Sequence, residues 1–562
     1  MSLPNFARRG IARSISSACL LFPIGCAHSP MAGGPAGSAR VHLGPAVAPG
    51  EAGPARFVTE IYEAFDAGAA LALAGAADRF YRTPGGEGYD VTLDALAARL
   101  RAAGFGHEES LELEFLEYEM DDPAWTPLAA RVVLHVEGAE PVTLHAFSES
   151  HEVDRVMLPI NTPAANVEGP PVFSLDEVEP GTVLVMDAAP SKSILARAER
   201  RGAVAVLSSA LFSFSVDPTG AERHLDAVLF TKVEPGTSIP VATISARSHE
   251  RIRAAASSPA STPASEGPRV RVALMSEVRF GGRTARVLKA TIVGAGRADE
   301  VVAIVSHAQE PGAGDNASGI AGMTESACTL ARLLREERLE RPARTIVFVW
   351  GDEMSQTHVF LDSTERRVIA GISADMLGQS PERTGAIALL ERSPDPGALQ
   401  PLPPDEHTPW GAAEVDERDI RPSGVALIAR IALSDVGRRV GGWRTSENPW
   451  EGGSDHDVFL ERRIPAVLIW HFTDFTYHTS LDRMEMLDGE ELRRTCTAVL
   501  ATALALADSR PGDLERYLAS NELERNLRRG AAEAASEPEL AARWDEWCLG
   551  TERWLRDLCS VE

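Results

Sequence analysis

Between residues 269 and 508, short and mostly apolar runs alternate with longer stretches in which apolar residues recur at every third or fourth position. The runs are Val301–Val305, Thr345–Val349, Val368–Ser373, Ala386–Leu390 and Ala466–Trp470. A strand with no regular polar alternation is one buried on both faces, as in a parallel sheet covered by helices. Helices follow from the spacing of Ile320, Met323, Ala327, Leu330 and Leu334, and again from Leu492, Cys496, Val499, Ala503 and Leu506. The fold class is therefore α/β: a mostly parallel mixed sheet sandwiched by helices.

A chain of 562 residues exceeds one core, and its texture changes along its length. Residues 55–159 read as the N-terminal part of the main domain. Helical patterns near 57–77 and around Leu93, Leu96, Ala97 and Leu100 precede strand-like alternation through 111–158. Residues 160–255 are built from short β-rich units and read as a small inserted domain. An Ala-, Ser- and Pro-rich tract makes 256–268 a linker. The main domain resumes over 269–510, with a Pro-rich loop at 392–409, and 511–562 form a helical extension.

At the start, Arg8, Arg9 and Arg13 precede an apolar stretch ending Ile24-Gly25-Cys26. This is the order of an export signal, so 1–54 read as a signal and leader, and Cys26 as a candidate lipid attachment site. The implied location is exported: periplasmic, lipid-anchored or secreted. The apolar stretch is too short to span a bilayer. Acidic residues outnumber basic ones 81 to 55, giving a net charge of -26, which excludes a polyanion as partner. Cys328 and Cys496 fall on apolar helix faces and read as buried small hydrophobes. Cys548 and Cys559 are near neighbours, but the cysteine pattern implies no disulfide framework and no zinc finger. Oligomeric state is left open.

Chemistry-bearing residues gather where the apolar runs stop. His307 and Asp315 lie in the run Ser306–Gly319, Asp352 and Glu353 in W-G-D-E, Asp375 in A-D-M-L-G, and His478 in T-Y-H-T-S-L-D. Ligand sites of open α/β sheets form beyond the carboxyl ends of strands. Two histidines and three carboxylates converging there suit a pair of divalent cations with N and O ligands.

In these residues the chain resembles the di-zinc exopeptidases of the aminopeptidase Y and glutamate carboxypeptidase-like kind. Pro311–Gly319 match that family's P-G-A-x-D-N-x-S-G loop, and Ser454-Asp455-His456, Ile464-Pro465-Ala466 and Tyr477-His478-Thr479 match its C-terminal block. The resemblance implies that His307 and Asp375 hold one Zn2+, that Glu353 and His478 hold the other, and that Asp315 bridges them. It makes Asp352 the general base and a peptide the substrate, with other divalent metals able to replace zinc. Two positions depart from the pattern: Asp352 stands where the family has Glu, and Gln309 where it often has an Asp supporting the first histidine. The 160–255 segment resembles a protease-associated domain through its G-T-V-L-V-M-D, G-A-V-A-V-L and I-P-V-A-T-I-S runs. Tyr477 and His456 are expected to line the substrate cleft, and His471 to be structural.

The leading reading is a metal-dependent aminopeptidase. Two others compete with it. One is a glutaminyl cyclase-like acyltransferase with a single zinc, against which the retention of both His307 and Asp375 argues. The other is a relative that has lost catalysis and serves as a binding or scaffold protein.

Overall fold

The computed structural model describes residues 52–148, 153–217, 219, 222–257, 270–400 and 415–560. The leader with Cys26, nearly all of the linker and residues 401–409 of the Pro-rich loop lie outside the described residues. Among the described residues, no helix is long and apolar enough to cross a membrane.

The apolar runs form the middle of an eight-stranded sheet. Across it the strands are Leu111–Glu119, Thr284–Ile292, Arg344–Gly351, Arg297–His307, Arg367–Ala374, Ala466–Phe472, Ile387–Glu391 and Thr445–Asn448. The four from Arg344–Gly351 to Ala466–Phe472 are mutually parallel, and the next strand on either side, Thr284–Ile292 or Ile387–Glu391, pairs with them antiparallel. Val301 to Val305 are at most 1% exposed because both sheet faces are covered. Val302 and Ile304 pack into the larger core with the Ala317–Arg335 and Gly489–Ala507 helices. Val301, Ala303 and Val305 face the other way, toward Phe360 and Phe459 on two shorter helices. The first of these long helices starts where the Asn316 side chain accepts from Gly319 N–H, the second where Asp488 accepts from the amides of Glu490 and Glu491.

A second lobe is larger than the 160–255 segment anticipated for it. Trp125–Val136 and Val142–Phe147 join Val270–Phe280 and Ala165–Gly169 in an antiparallel sheet. That sheet shares a core with a parallel one made of Pro171–Val172, Val183–Met186, Ala205–Ser208 and Val241–Thr243. Alternation over 111–158 identifies strands but not which sheet each joins. Leu111–Glu119 pairs with the main sheet, whereas the next two strands leave it for the lobe.

The C-terminal extension is a pair of helices, Leu514–Ala534 and Pro538–Leu558. Charge fastens it to the end of the sheet. Glu524, 3% exposed, pairs with Arg392 at 2.8 Å and accepts from Arg430 at 3.1 Å, and Glu447 of the last strand pairs with the same two arginines. Arg516 forks onto Asp435. Cys548 and Cys559 are buried and free, as are Cys328 and Cys496. Replacing Glu524 with Ala strands buried guanidinium groups, and urea unfolding is expected to show a loss of about 3 kcal/mol.

Candidate metal centre

His307 is the last residue of its strand and is 2% exposed. Its Nε2 lies 3.0 Å from Asp375 Oδ1, 3.5 Å from Asp315 Oδ1 and 3.9 Å from Glu353 Oε1. His478, in the loop after Ala466–Phe472, places Nε2 at 3.0 Å from Asp315 Oδ2 and 2.6 Å from Glu310 Oε2. The structure thus brings together all five residues expected as ligands and adds a sixth residue, the acid Glu310. Asp315 sits between the two imidazoles, one oxygen toward each. Ligand atoms of His307, Glu353 and Asp375 lie within 4.8 Å of one another, and so do those of Glu310, Asp315 and His478. This division differs from the one the resemblance implied: Glu353 keeps company with His307, and Glu310 stands beside His478.

Each side chain is fixed by its own supports. The Asp482 carboxylate, 2% exposed, accepts from the amides of Gly314 at 2.6 Å and Asp315 at 2.9 Å. A Cβ at Gly312 would meet Asp482 Oδ2 at 2.0 Å, so the loop passes only as glycine. Two buried arginines brace the same loop from outside. Arg82 donates to the carbonyls of Ala308 at 2.9 Å and Gly312 at 2.7 Å, and Arg155 to that of Pro311. Ser454 donates to Asp375 Oδ2 at 3.1 Å. Gln309 accepts from the Glu353 amide at 3.0 Å and reaches its carboxylate at 3.4 Å. Spent there, Gln309 does not serve His307, whose Nδ1 is buried without a hydrogen bond.

Burial opposes charge throughout the cluster. It raises Asp315, with Glu310 adding to the effect, and raises Glu353. It would lower His307 and His478, yet Asp375 and Glu353 hold the first well above its usual range, and Glu310 holds the second up near 10. Four carboxyls around two imidazoles are short of positive charge. Asp315 Oδ1 and Asp375 Oδ1 are buried and make no hydrogen bond. Unbonded, inward-facing carboxylate oxygens beside imidazole nitrogens are the donor set of a divalent cation, so the residues fit the zinc ions expected of them.

Asp352 belongs to neither triple. Its Oδ2 accepts from Tyr118 Oη at 2.9 Å, and burial raises its pKa. Tyr477 stacks on the His478 ring at 3.7 Å, half-buried beside the site. His456 is not at the cleft as expected: it is fully buried, with Nε2 2.9 Å from Glu391 Oε1. Its neighbour Asp455 accepts from the Met354 amide, Gln356 Nε2 and Thr357 Oγ1, fixing the turn after Glu353. His471 is structural, held between the Met376 carbonyl and Glu491. Sequence reasoning missed Glu310, Tyr118, Arg82 and Arg155. Only Glu310 carried a signal, as an acid inside the Ser306–Gly319 run.

Residues 288–384 match the model of Peptidase family M28. No curated protein matches the chain. Among solved structures, the fold is similar to a peptidase M28 precursor from Shewanella amazonensis SB2B, at 17% identity and TM-score 0.53, covering 81% of this chain and 97% of that one. It is also similar to BSAP, a zinc aminopeptidase from Bacillus subtilis, at 16% identity and TM-score 0.50, covering 78% of this chain and 94% of that one.

The buried His456–Glu391 pair yields a pH prediction. Burial would lower the His456 pKa, but Asp457 and Glu391 overcome it and push it up to about 9. A raised folded-state pKa stabilises fully below the unfolded value of about 6.5, and the gain is lost as pH rises through about 9. The stability of the wild type over His456→Gln is expected to be about 3 kcal/mol at pH 6 and near zero by pH 10, read by urea titration. The segment that carries His307, Asp315, Asp352, Glu353 and Asp375 is thus the part of the chain that resembles Peptidase family M28.

Proposed function

We propose that the chain is an aminopeptidase that uses two divalent cations, zinc by preference, to release residues from the amino ends of peptides. The observation that carries this reading is Asp315, buried and pointing one oxygen at each of two imidazoles. A single-zinc acyltransferase needs only one such imidazole, and a scaffold relative needs no inward-facing unbonded carboxylates.

When bound, the ions would polarise the scissile carbonyl and make a water nucleophilic near neutral pH. The chain's own residues supply the rest. His307, Asp315, Glu353, Asp375 and His478 hold the ions, with each ligand kept in place by the contacts described above. Asp352, half-buried next to the ligands and outside their triples, is suited to take a proton from the attacking water and return it to the leaving amine. Its raised pKa favours holding that proton between the two events.

Cleavage at a chain end is supported by how the lobe meets the site. Phe230 N–H donates to the His478 carbonyl at 2.7 Å, and Ser480 N–H to that of Val228 at 2.8 Å. The Phe230 ring stands edge-on to His478 at 5.2 Å. A site walled on this side suits a peptide terminus better than a continuous chain.

Zinc per chain and hydrolysis of amino-acid anilides test the reading together. Metal-loaded protein is expected to release aniline from the free-amino substrate and not from its N-acetylated form. Chelation should abolish this and zinc should restore it. Asp315→Ala should lower kcat/KM by at least about 1,000-fold, a loss of about 4 kcal/mol of transition-state stabilisation. Tight zinc binding with no hydrolysis of any peptide end would instead favour the scaffold reading.

A further inference from the structure

We propose that Glu310 is a metal ligand, completing with Asp315 and His478 the second cation's donor set in the place the family resemblance gives to Glu353. The inference rests on the two-cation reading above and assigns a residue that reading leaves out.

Three observations carry it. Glu310 Oε2 lies 2.6 Å from His478 Nε2, and the Glu310, Asp315 and His478 donors all fall within 4.8 Å of one another. Glu353 is engaged elsewhere: it groups with His307 and Asp375, and Gln309 holds it by both amide and carboxylate. Asp315, 4% exposed, turns its Oδ2 to 3.0 Å from the same His478 Nε2, so two carboxylates converge on one imidazole nitrogen.

The local chain explains why Glu310 stays there. It precedes Pro311, and the carbonyls on either side of it, at Ala308, Pro311 and Gly312, accept from the buried Arg82 and Arg155. A loop pinned at these points cannot readily swing its acid away. With Glu310 included, each triple consists of one imidazole and two carboxylates, and a four-coordinate zinc in either would keep a position open for water or substrate. An ordinary ion pair between Glu310 and His478 would account for their contact alone. It would not account for Asp315 closing on the same imidazole or for Glu353 lying in the other triple.

The test counts and titrates zinc in full-length wild type, Glu310→Gln and Glu353→Gln, each checked for folding by circular dichroism. Wild type is expected to bind two zinc ions. Glu310→Gln should keep one at wild-type affinity and hold the second at least about 100-fold more weakly against a chromogenic chelator, beyond the cost of losing an outer-shell partner. Glu310→Gln that retains both ions at full affinity overturns the proposal, whether or not KM rises. A wild type that binds no zinc overturns the two-cation reading itself, and the two failures are thereby separated. Should Glu310→Gln not fold, anomalous scattering from zinc-loaded wild-type crystals decides. An ion about 2.0–2.2 Å from a Glu310 oxygen supports the assignment. An ion bonded to Glu353 and His478, with Glu310 turned away, refutes it.

Discussion

Four carboxyl groups enclosed at one edge of a sheet are the constraint on which the rest of this structure depends. Glu310, Asp315, Glu353 and Asp375 are gathered around His307 and His478, where burial makes like charges expensive. A chain left to relax would splay them into water. It does not, because each acid or its backbone is tied down by a neighbour that spends its own hydrogen bonds doing so: Asp482 on the Asp315 loop, Ser454 on Asp375, Gln309 on Glu353, and Arg82 and Arg155 on the carbonyls around Glu310. Arg155 is in turn held by Asp78, which also pairs with Arg483. This apparatus makes sense only if the acids must be kept close, and a divalent cation is what rewards that closeness.

Backbone conformation shows the same cost. Met354, Met376 and His478 adopt positive φ of 63°, 51° and 54°, a region that costs a non-glycine residue on the order of 1 kcal/mol or more. The three positions adjoin or belong to the ligand set: one follows Glu353, one follows Asp375 and one is a ligand candidate itself. Each is held by a bond to its backbone. Met354 N–H donates to Asp455, Met376 N–H to the Asn316 side chain at 3.0 Å, and the His478 carbonyl accepts from Phe230. The last of these comes from the second lobe, so the lobe helps to hold a ligand residue as well as walling the site.

How much of this could be read from the sequence divides along physical lines. The five apolar runs became strands within about two residues at each end, save that the strand Arg297–His307 begins four residues ahead of its run, because burial on both faces of a parallel sheet leaves an unbroken apolar signature. The helices after Asp315 and near Glu490 were legible for the same reason, through the 3.6-residue period. The lobe boundary was not. Strand Trp125–Val136 alternates like Leu111–Glu119 before it, and only long-range pairing with Val270–Phe280 decides which sheet it joins. At the site, ligand residues at strand ends were visible as residue types in order. Supports drawn from far along the chain, such as Arg82 and Tyr118, were not, because an isolated buried Arg or Tyr carries no spacing signal. His456 misled for a related reason: its motif lies close to site residues in sequence, while its side chain turns into the protein toward Glu391.

The adjacent acids Asp352 and Glu353 show how one strand end serves two purposes. The strand ends at Gly351, and Asp352 and Glu353 occupy the bend and turn that follow, where the chain changes direction. Glu353 accordingly turns to His307, and Asp352 turns to Tyr118 of the strand Leu111–Glu119 on the far side of Thr284–Ile292. A ligand must sit at bonding distance from a cation and remain charged. A proton carrier must sit near it, remain outside its bonding shell and bind a proton without great cost. Burial together with the hydroxyls of Ser355 and Tyr118 meets the second requirement, since a hydroxyl stabilises a carboxylate less than a cation would. Bonded to Tyr118 at 2.9 Å, the Asp352 carboxyl stays outside both ligand triples while its neighbour Glu353 enters one, so a single strand end delivers a ligand and a proton carrier side by side.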